Sequence, residues 1–207
     1  TQNGWRGYAP DLPGHGDSPK TDDLSQYAAQ AVYTAFAAWL DGLGFDQPLR
    51  LVGPSLGGFL CLLYAYHHPQ HIDSLALIDP YYSPTQLPLS LRLINRRPRL
   101  AAWAFQRIPS WIVHLIFDLD RGETHQFNSK VRHAIAGDYL RASPKIIYMG
   151  SSIWDLTPIL PEIKTPTLLI WGDRDRTLKP TSFTRLALQM PQVEISPVTG
   201  SGHQPHI

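Results

Sequence analysis

Residues 49–67 constrain the fold more than any other stretch of the chain. A short apolar run, 49–53, passes into Gly53-Pro54-Ser55-Leu56-Gly57-Gly58 and then into a stretch, 56–67, that carries no polar face. This reads as a buried strand, a tight turn and a buried helix, because a helix apolar all round must sit inside a larger structure. Short apolar runs at 7–11, 74–79, 167–172 and 193–198 read as further strands, and 24–43 and 183–190 as further helices. Within 24–43, Ala28, Val32, Phe36, Trp39 and Leu43 recur at three-to-four spacing and form one apolar face. Strands alternating with helices predict the α/β class, a mostly parallel sheet with helices covering both faces.

The alternation stops between 81 and 156, where helix-compatible segments rich in Trp, Leu, Ile and Arg replace the strand runs. Pro84, Pro88, Pro98, Pro109 and Pro144 cut this region into short helices, and Pro158, Pro161 and Pro166 mark the return to the sheet. The expected division is a core over 1–80, an inserted helical cap over 81–156 and the rest of the core over 157–207. With 207 residues, 43% of them apolar, the chain can bury one sizeable core. Its 18 basic and 17 acidic side chains leave a formal charge of +1, which gives no broad field for nucleic acid. A small molecule is the expected partner. The longest wholly apolar runs, such as 59–66, fall far short of the ~20 residues of a membrane-spanning helix. The single cysteine, Cys61, excludes an intrachain disulfide and a cysteine-based zinc cluster.

The turn after the first of these strands carries the chemistry. Gly53-Pro54-Ser55-Leu56-Gly57 fits G-x-S-x-G, and with 15 glycines in 207 residues chance supplies about 0.07 such matches. A serine projected from a tight strand-to-helix turn needs small neighbours two residues before and after it, and Gly53 and Gly57 meet that need. The Leu56 amide, at the helix start, can face a developing oxyanion. A glycine-rich turn that only packs a helix on a strand is the plainer reading. A serine hydroxyl needs a base and a carboxylate that orients the base. Candidates sit at strand ends: Asp173 and Asp175 after 167–172, Asp79 closing 74–79, and His203 on the loop after 193–198, with His206 an alternative base.

Taken together these motifs resemble the α/β-hydrolase superfamily, in its serine-nucleophile, cap-bearing branch. Tyr8-Ala9-Pro10-Asp11-Leu12-Pro13-Gly14-His15-Gly16 is similar to the family's segment after its fourth strand, and Gly202-His203 to its base site. Trp171-Gly172-Asp173-Arg174-Asp175 resembles the family's G-x-x-D site, which implies Asp175 as the acid, with Asp79 the alternative placement. The resemblance implies a serine hydrolase acting through an acyl-enzyme on a carboxylic ester, with Ser55 as nucleophile, His203 as base and Leu56 N–H as one oxyanion donor. No metal or organic cofactor is implied. A carbon–carbon bond hydrolase, an amidase, a perhydrolase or a non-catalytic binding protein of the same fold would carry the same motifs. In the family the second oxyanion donor lies on a loop upstream of the D-x-P-G-H-G segment, and a helix follows the base. The chain opens at Thr1 past the one and closes at Ile207 short of the other, so truncation at both ends is expected. Serine at the elbow excludes the dehalogenase and epoxide hydrolase branches, which need a carboxylate there.

Other residues have plainer readings. Pro54 stands where many relatives carry histidine and is expected to shape the pocket, with Trp103 and Trp111 as further lining candidates from the apolar runs 100–105 and 111–117. Those aromatic residues serve equally well to dock short helices on the sheet. Arg92, Arg96, Arg97 and Arg99 form a basic cluster, read first as a solvated face and second as a contact for an anionic substrate or membrane surface. His15 reads as structural. His67, His68 and His71 match no zinc spacing and read as a solvated helix end, and Cys61 as a core residue.

Overall fold

The computed structural model describes residues 4–109, 111–112, 134, 137–138 and 140–206. Its sheet has four strands, β1 (Leu49–Pro54), β2 (Ile72–Ile78), β3 (Thr167–Gly172) and β4 (Val193–Val198), in the order β1-β2-β3-β4. All three pairings are parallel, with Leu51 opposite Leu75, Leu77 opposite Leu169 and Leu169 opposite Ile195. Parallel neighbours need a crossover between them, and helices supply it. The two inner strands are largely apolar from Leu75 and Leu168 onward and bury Leu75, Leu77, Leu169 and Trp171. The outer strands alternate or lie open, leaving Val52 and Ile195 exposed.

Helix α1 (Ala29–Gly42) buries Ala29, Val32, Tyr33 and Leu40, with Phe36 and Trp39 half-buried beside them. The continuous helix expected over 24–43 is instead two pieces. Residues Leu24–Tyr27 form a 3-10 turn capped by the Asp23 carboxylate, Ala28 is extended, and α1 then begins with the Ala29 amide donating to Ser152 Oγ at 2.8 Å. Helix α2 (Leu56–His67) is buried without a break from Gly58 to Ala65, which is why its sequence has no polar face. It packs under β1 and β2.

The run at 7–11, expected as a strand, belongs to no sheet: it is extended coil with exposed residues. Pro10 has no N–H to give a ladder, and the segment closes on itself instead. Asp11 accepts the Asp17 amide at 2.8 Å through its carboxylate and the Ser18 hydroxyl at 2.6 Å through its carbonyl.

Between β2 and β3 the described residues hold helices and turns: α3 (Leu89–Asn95), α4 (Pro98–Phe105), α5 (Ile147–Ser152) and 3-10 turns at Pro84–Gln86, Pro144–Ile146 and Thr157–Glu162. The first part of this stretch is core. Gln86 is buried, donates to Pro80 O and Ser182 Oγ, and accepts the Tyr82 and Ser83 amides. Tyr82 reaches the Ser182 carbonyl at 2.8 Å. These bonds tie the exit of β2 to α6 (Pro180–Gln189), the crossover between β3 and β4.

Leu169 sits at the centre of the sheet with no exposed surface. Leu169→Ala is expected to cost about 2–5 kcal/mol, seen as a lower urea midpoint at an unchanged slope.

Candidate active site

Ser55 lies between β1 and α2 with φ 47° and ψ −114°, a backbone state that L-residues avoid at a cost of about 1–3 kcal/mol. The surroundings hold it there. Its amide donates to Ile78 O at 2.8 Å, and its carbonyl accepts the Tyr81 and Gly58 amides, each at 2.9 Å. A side chain on Gly53 would place its Cβ 2.5 Å from Gly57 O, and one on Gly58 would fall 2.5 Å from Pro80 Cβ. The first close approach is the one the motif implies. The second, between the helix start and the chain leaving β2, has no signature in the local sequence.

The hydroxyl raised by this turn meets an imidazole. Ser55 Oγ is 2.9 Å from His203 Nε2, and His203 Nδ1 is 2.8 Å from Asp175 Oδ2. With its proton on Nδ1, where the carboxylate can accept it, the imidazole presents a bare Nε2 to the hydroxyl. The Asp175 side chain is wholly buried and that of His203 is 14% exposed. Asp175 Oδ1 accepts the amides of Thr177 at 2.7 Å and Leu178 at 2.9 Å, which fixes the carboxylate from the side away from the ring. Leu56, the first residue of α2, has an amide with no acceptor inside its helix, on the same turn as the hydroxyl.

The other candidates have different partners. Asp79 is buried at φ 42°, and its Oδ1 accepts the Gly172 amide at 3.0 Å, so it braces the end of β3. Ligating atoms of Asp79, Asp175 and His203 lie within 4.8 Å of one another, a set of donors that could hold a cation. Here, however, the imidazole Nδ1 and the Asp175 carboxylate face each other. Asp173 accepts the Gly200 amide at 2.7 Å and so holds the loop that carries His203. His206 lines the same open groove as Ser55, and burial, then the nearby His203, push its basicity below the ordinary histidine value. His15 Nδ1 is 3.3 Å from Pro13 O. His67, His68 and His71 lie at the far end of α2, where His68 stacks on Tyr64 with ring centroids 4.5 Å apart.

Pro54 and Leu56 line the groove, a space of about 1320 Å³ running from Ser55 along β1. Trp103 and Trp111 do not line it and stand out to solvent. Of the run at 111–117, residues 113–117 lie outside the described residues.

A family model described as the alpha/beta hydrolase fold matches residues 1–114. The chain belongs to this family. It is 24% identical to Lipase 1 of Psychrobacter immobilis, in a match covering 96% of the chain and 63% of that protein. Monoacylglycerol lipase abhd6-B of Xenopus laevis is also 24% identical, over 93% of the chain and 60% of its own length. The chain thus spans 60–63% of the length of these curated relatives. Among solved structures, a thermophilic esterase from Thermogutta terrifontis is 23% identical with a TM-score of 0.75, covering 95% of the chain and 72% of the esterase.

Within this alpha/beta hydrolase fold, sequence reasoning missed the residues that hold the strand-end loops. Gly172 is one of them: a Cβ there would lie 2.0 Å from Gly202 O, so the end of β3 and the His203 loop touch backbone to backbone. Asp173 and the Thr177 and Leu178 amides are the others. The available signal was the density of Gly and Asp around 172–175 and 200–202.

Cys61 lies against Gly53 in the core, and burial pushes its thiol up to about 12. It is expected to resist iodoacetamide at neutral pH and to react only when the chain is unfolded, as mass spectrometry with and without urea would report.

Proposed function

We propose that the chain is a serine hydrolase that cleaves a carboxylic ester with a hydrophobic acyl group through an acyl-enzyme. The observation that carries this reading is the pair of hydrogen bonds running from Asp175 through His203 to Ser55. Ser55 Oγ attacks the ester carbonyl carbon and His203 Nε2 takes its proton. Asp175, buried and held by two amides, accepts the Nδ1 proton and keeps the ring in place. The oxyanion of the tetrahedral intermediate faces the Leu56 amide at the start of α2. Its collapse breaks the bond to the alcohol oxygen, which leaves with the proton from Nε2. A water molecule then repeats the sequence on the acyl-enzyme and frees the acid. Asp175 rather than Asp79 is assigned as the acid, because Asp175 is the carboxylate bonded to the ring while Asp79 is engaged with the Gly172 amide.

Support for an ester comes from the relatives named lipase and monoacylglycerol lipase, and for a hydrophobic acyl group from the apolar walls that Pro54, Leu56, Ala142 and Ile146 give the groove. In this reading residues 81–156 are an insertion beside the site, since Ala142 and Ile146 of that stretch line the groove. A second reading, carbon–carbon bond hydrolysis, rests on 26% identity to 2-hydroxy-6-oxo-6-phenylhexa-2,4-dienoate hydrolase of Burkholderia cepacia. Turnover of p-nitrophenyl esters set against that dienoate separates the two.

A fluorophosphonate probe is expected to label Ser55 in the folded chain and to leave Ser55→Ala unlabelled. Labelling that persists in Ser55→Ala, or is absent from folded protein, would remove the proposal. Asp175→Asn is expected to lower kcat about 10⁴-fold, the scale set by loss of the orienting carboxylate in comparable triads. Asp79→Asn should leave most of the rate, and the reverse ranking would move the acid to Asp79.

A further inference from the structure

Residues 81–112 contain Arg92, Arg96, Arg97, Arg99 and Arg107 and no Lys, Asp or Glu. The chain as a whole balances 18 basic against 17 acidic side chains, so outside this stretch the acidic ones prevail. The positive charge is therefore concentrated on one hairpin, α3 and α4. Arg96 and Arg97 join α3 to α4, Arg99 lies in the first turn of α4, and all three are exposed. None of the three makes an ion pair among the described residues.

The same hairpin turns apolar side chains outward. Leu89 and Leu93 stand one turn apart on α3, with Ile94 beside them. On α4, Leu100 and Trp103 fall on one face, while Ala102 is buried on the other, toward α5. The five outward side chains are 49–70% exposed. The Arg107 guanidinium lies 4.0 Å over the Trp103 ring, placing a cation directly on an exposed indole. Arg92 is spent differently: it bonds the Leu87 and Thr85 carbonyls and fixes the root of the hairpin.

We infer that this hairpin docks on the surface of an anionic lipid bilayer. The apolar side chains enter the boundary between headgroups and acyl chains, and Arg96, Arg97, Arg99 and Arg107 lie at headgroup level. None of these five side chains lines the groove at Ser55, and a bilayer accepts such separate apolar side chains without needing a shaped pocket. Arg96, Arg97, Arg99 and Arg107 add positive charge beside these exposed apolar side chains, and an anionic leaflet attracts such charge without a fixed geometry. The Trp103 indole suits the interface, where its apolar body and its N–H are both accommodated.

The test is sedimentation of the full chain with vesicles of phosphatidylcholine alone and of phosphatidylcholine mixed with phosphatidylglycerol. It is read without substrate, so its outcome is independent of the hydrolase reading. The chain is expected to bind the mixed vesicles, less so as salt rises, and to bind pure phosphatidylcholine weakly. Each interfacial arginine contributes about fivefold, so the triple variant Arg96→Gln, Arg97→Gln, Arg99→Gln should bind on the order of 100-fold more weakly. The double variant Leu100→Ser, Trp103→Ser should also bind less while keeping the salt dependence. Vesicles with brominated acyl chains should quench the tryptophan emission, and less so in Trp103→Phe. Unchanged circular dichroism and melting establish that the variants fold. Equal binding to both vesicle types, triple-variant binding equal to that of the parent, no binding by folded parent, or a concentration-dependent dimer lost in the Trp103 variant would each overturn the inference.

Discussion

Everything in the site depends on one disfavoured backbone conformation, that of Ser55. The residue cannot relax to an ordinary φ without giving up bonds to Ile78, Tyr81 and Gly58, which belong to β2, to the chain leaving it and to the first turn of α2. The strain is thus balanced by the same parallel ladder that holds β1 to β2. What appears locally as a sharp turn is a consequence of how closely a helix can approach two strands. Gly53 and Gly58 allow that approach from opposite sides, one toward Gly57 and the other toward Pro80.

The two other corners of the site are fixed by a different device, carboxylates that accept backbone amides. Asp79 takes the Gly172 amide at the end of β3, Asp173 takes the Gly200 amide in the following loop, and Asp175 takes the Thr177 and Leu178 amides. The Asp79 and Asp173 bonds join segments 93 and 27 residues apart, and the Asp175 bonds fold the loop after β3 around its own carboxylate. Charge-assisted bonds of this kind are stronger than neutral ones, more so when water is excluded. One side chain of the three touches the imidazole, and the other two act on backbone.

The periodic elements were readable because their signals are local. The runs at 167–172 and 193–198 are strands with the expected limits, and 56–67 is a helix with the expected limits, since each run announces its own burial. Where local and tertiary forces part, the sequence misleads. Residues 7–11 have strand-like composition but no ladder, and the helical face over 24–43 hides a break at Ala28 that is set by Asp23 and by Ser152 more than a hundred residues away. The core around Gln86 was invisible for the same reason, since its partners Tyr82, Pro80 and Ser182 meet it only once α6 is in place. In the site, residue types and chain order suggested Ser55, His203 and a strand-end carboxylate, and the family resemblance singled out Asp175 among the carboxylates. The bracing by Asp79 and Asp173 was not legible, because a side chain that bonds a distant backbone amide leaves no motif.

The backbone contact between Gly172 and Gly202 limits how such a chain can be redesigned. With no side chain between them, the end of β3 and the base loop lie in direct backbone contact, and a graft that exchanges one has to match the other. A side chain introduced at Gly172 would run into the Gly202 and Ser201 carbonyls and push the base loop away from the strand end. The walls of the groove, by contrast, can be varied without touching this joint.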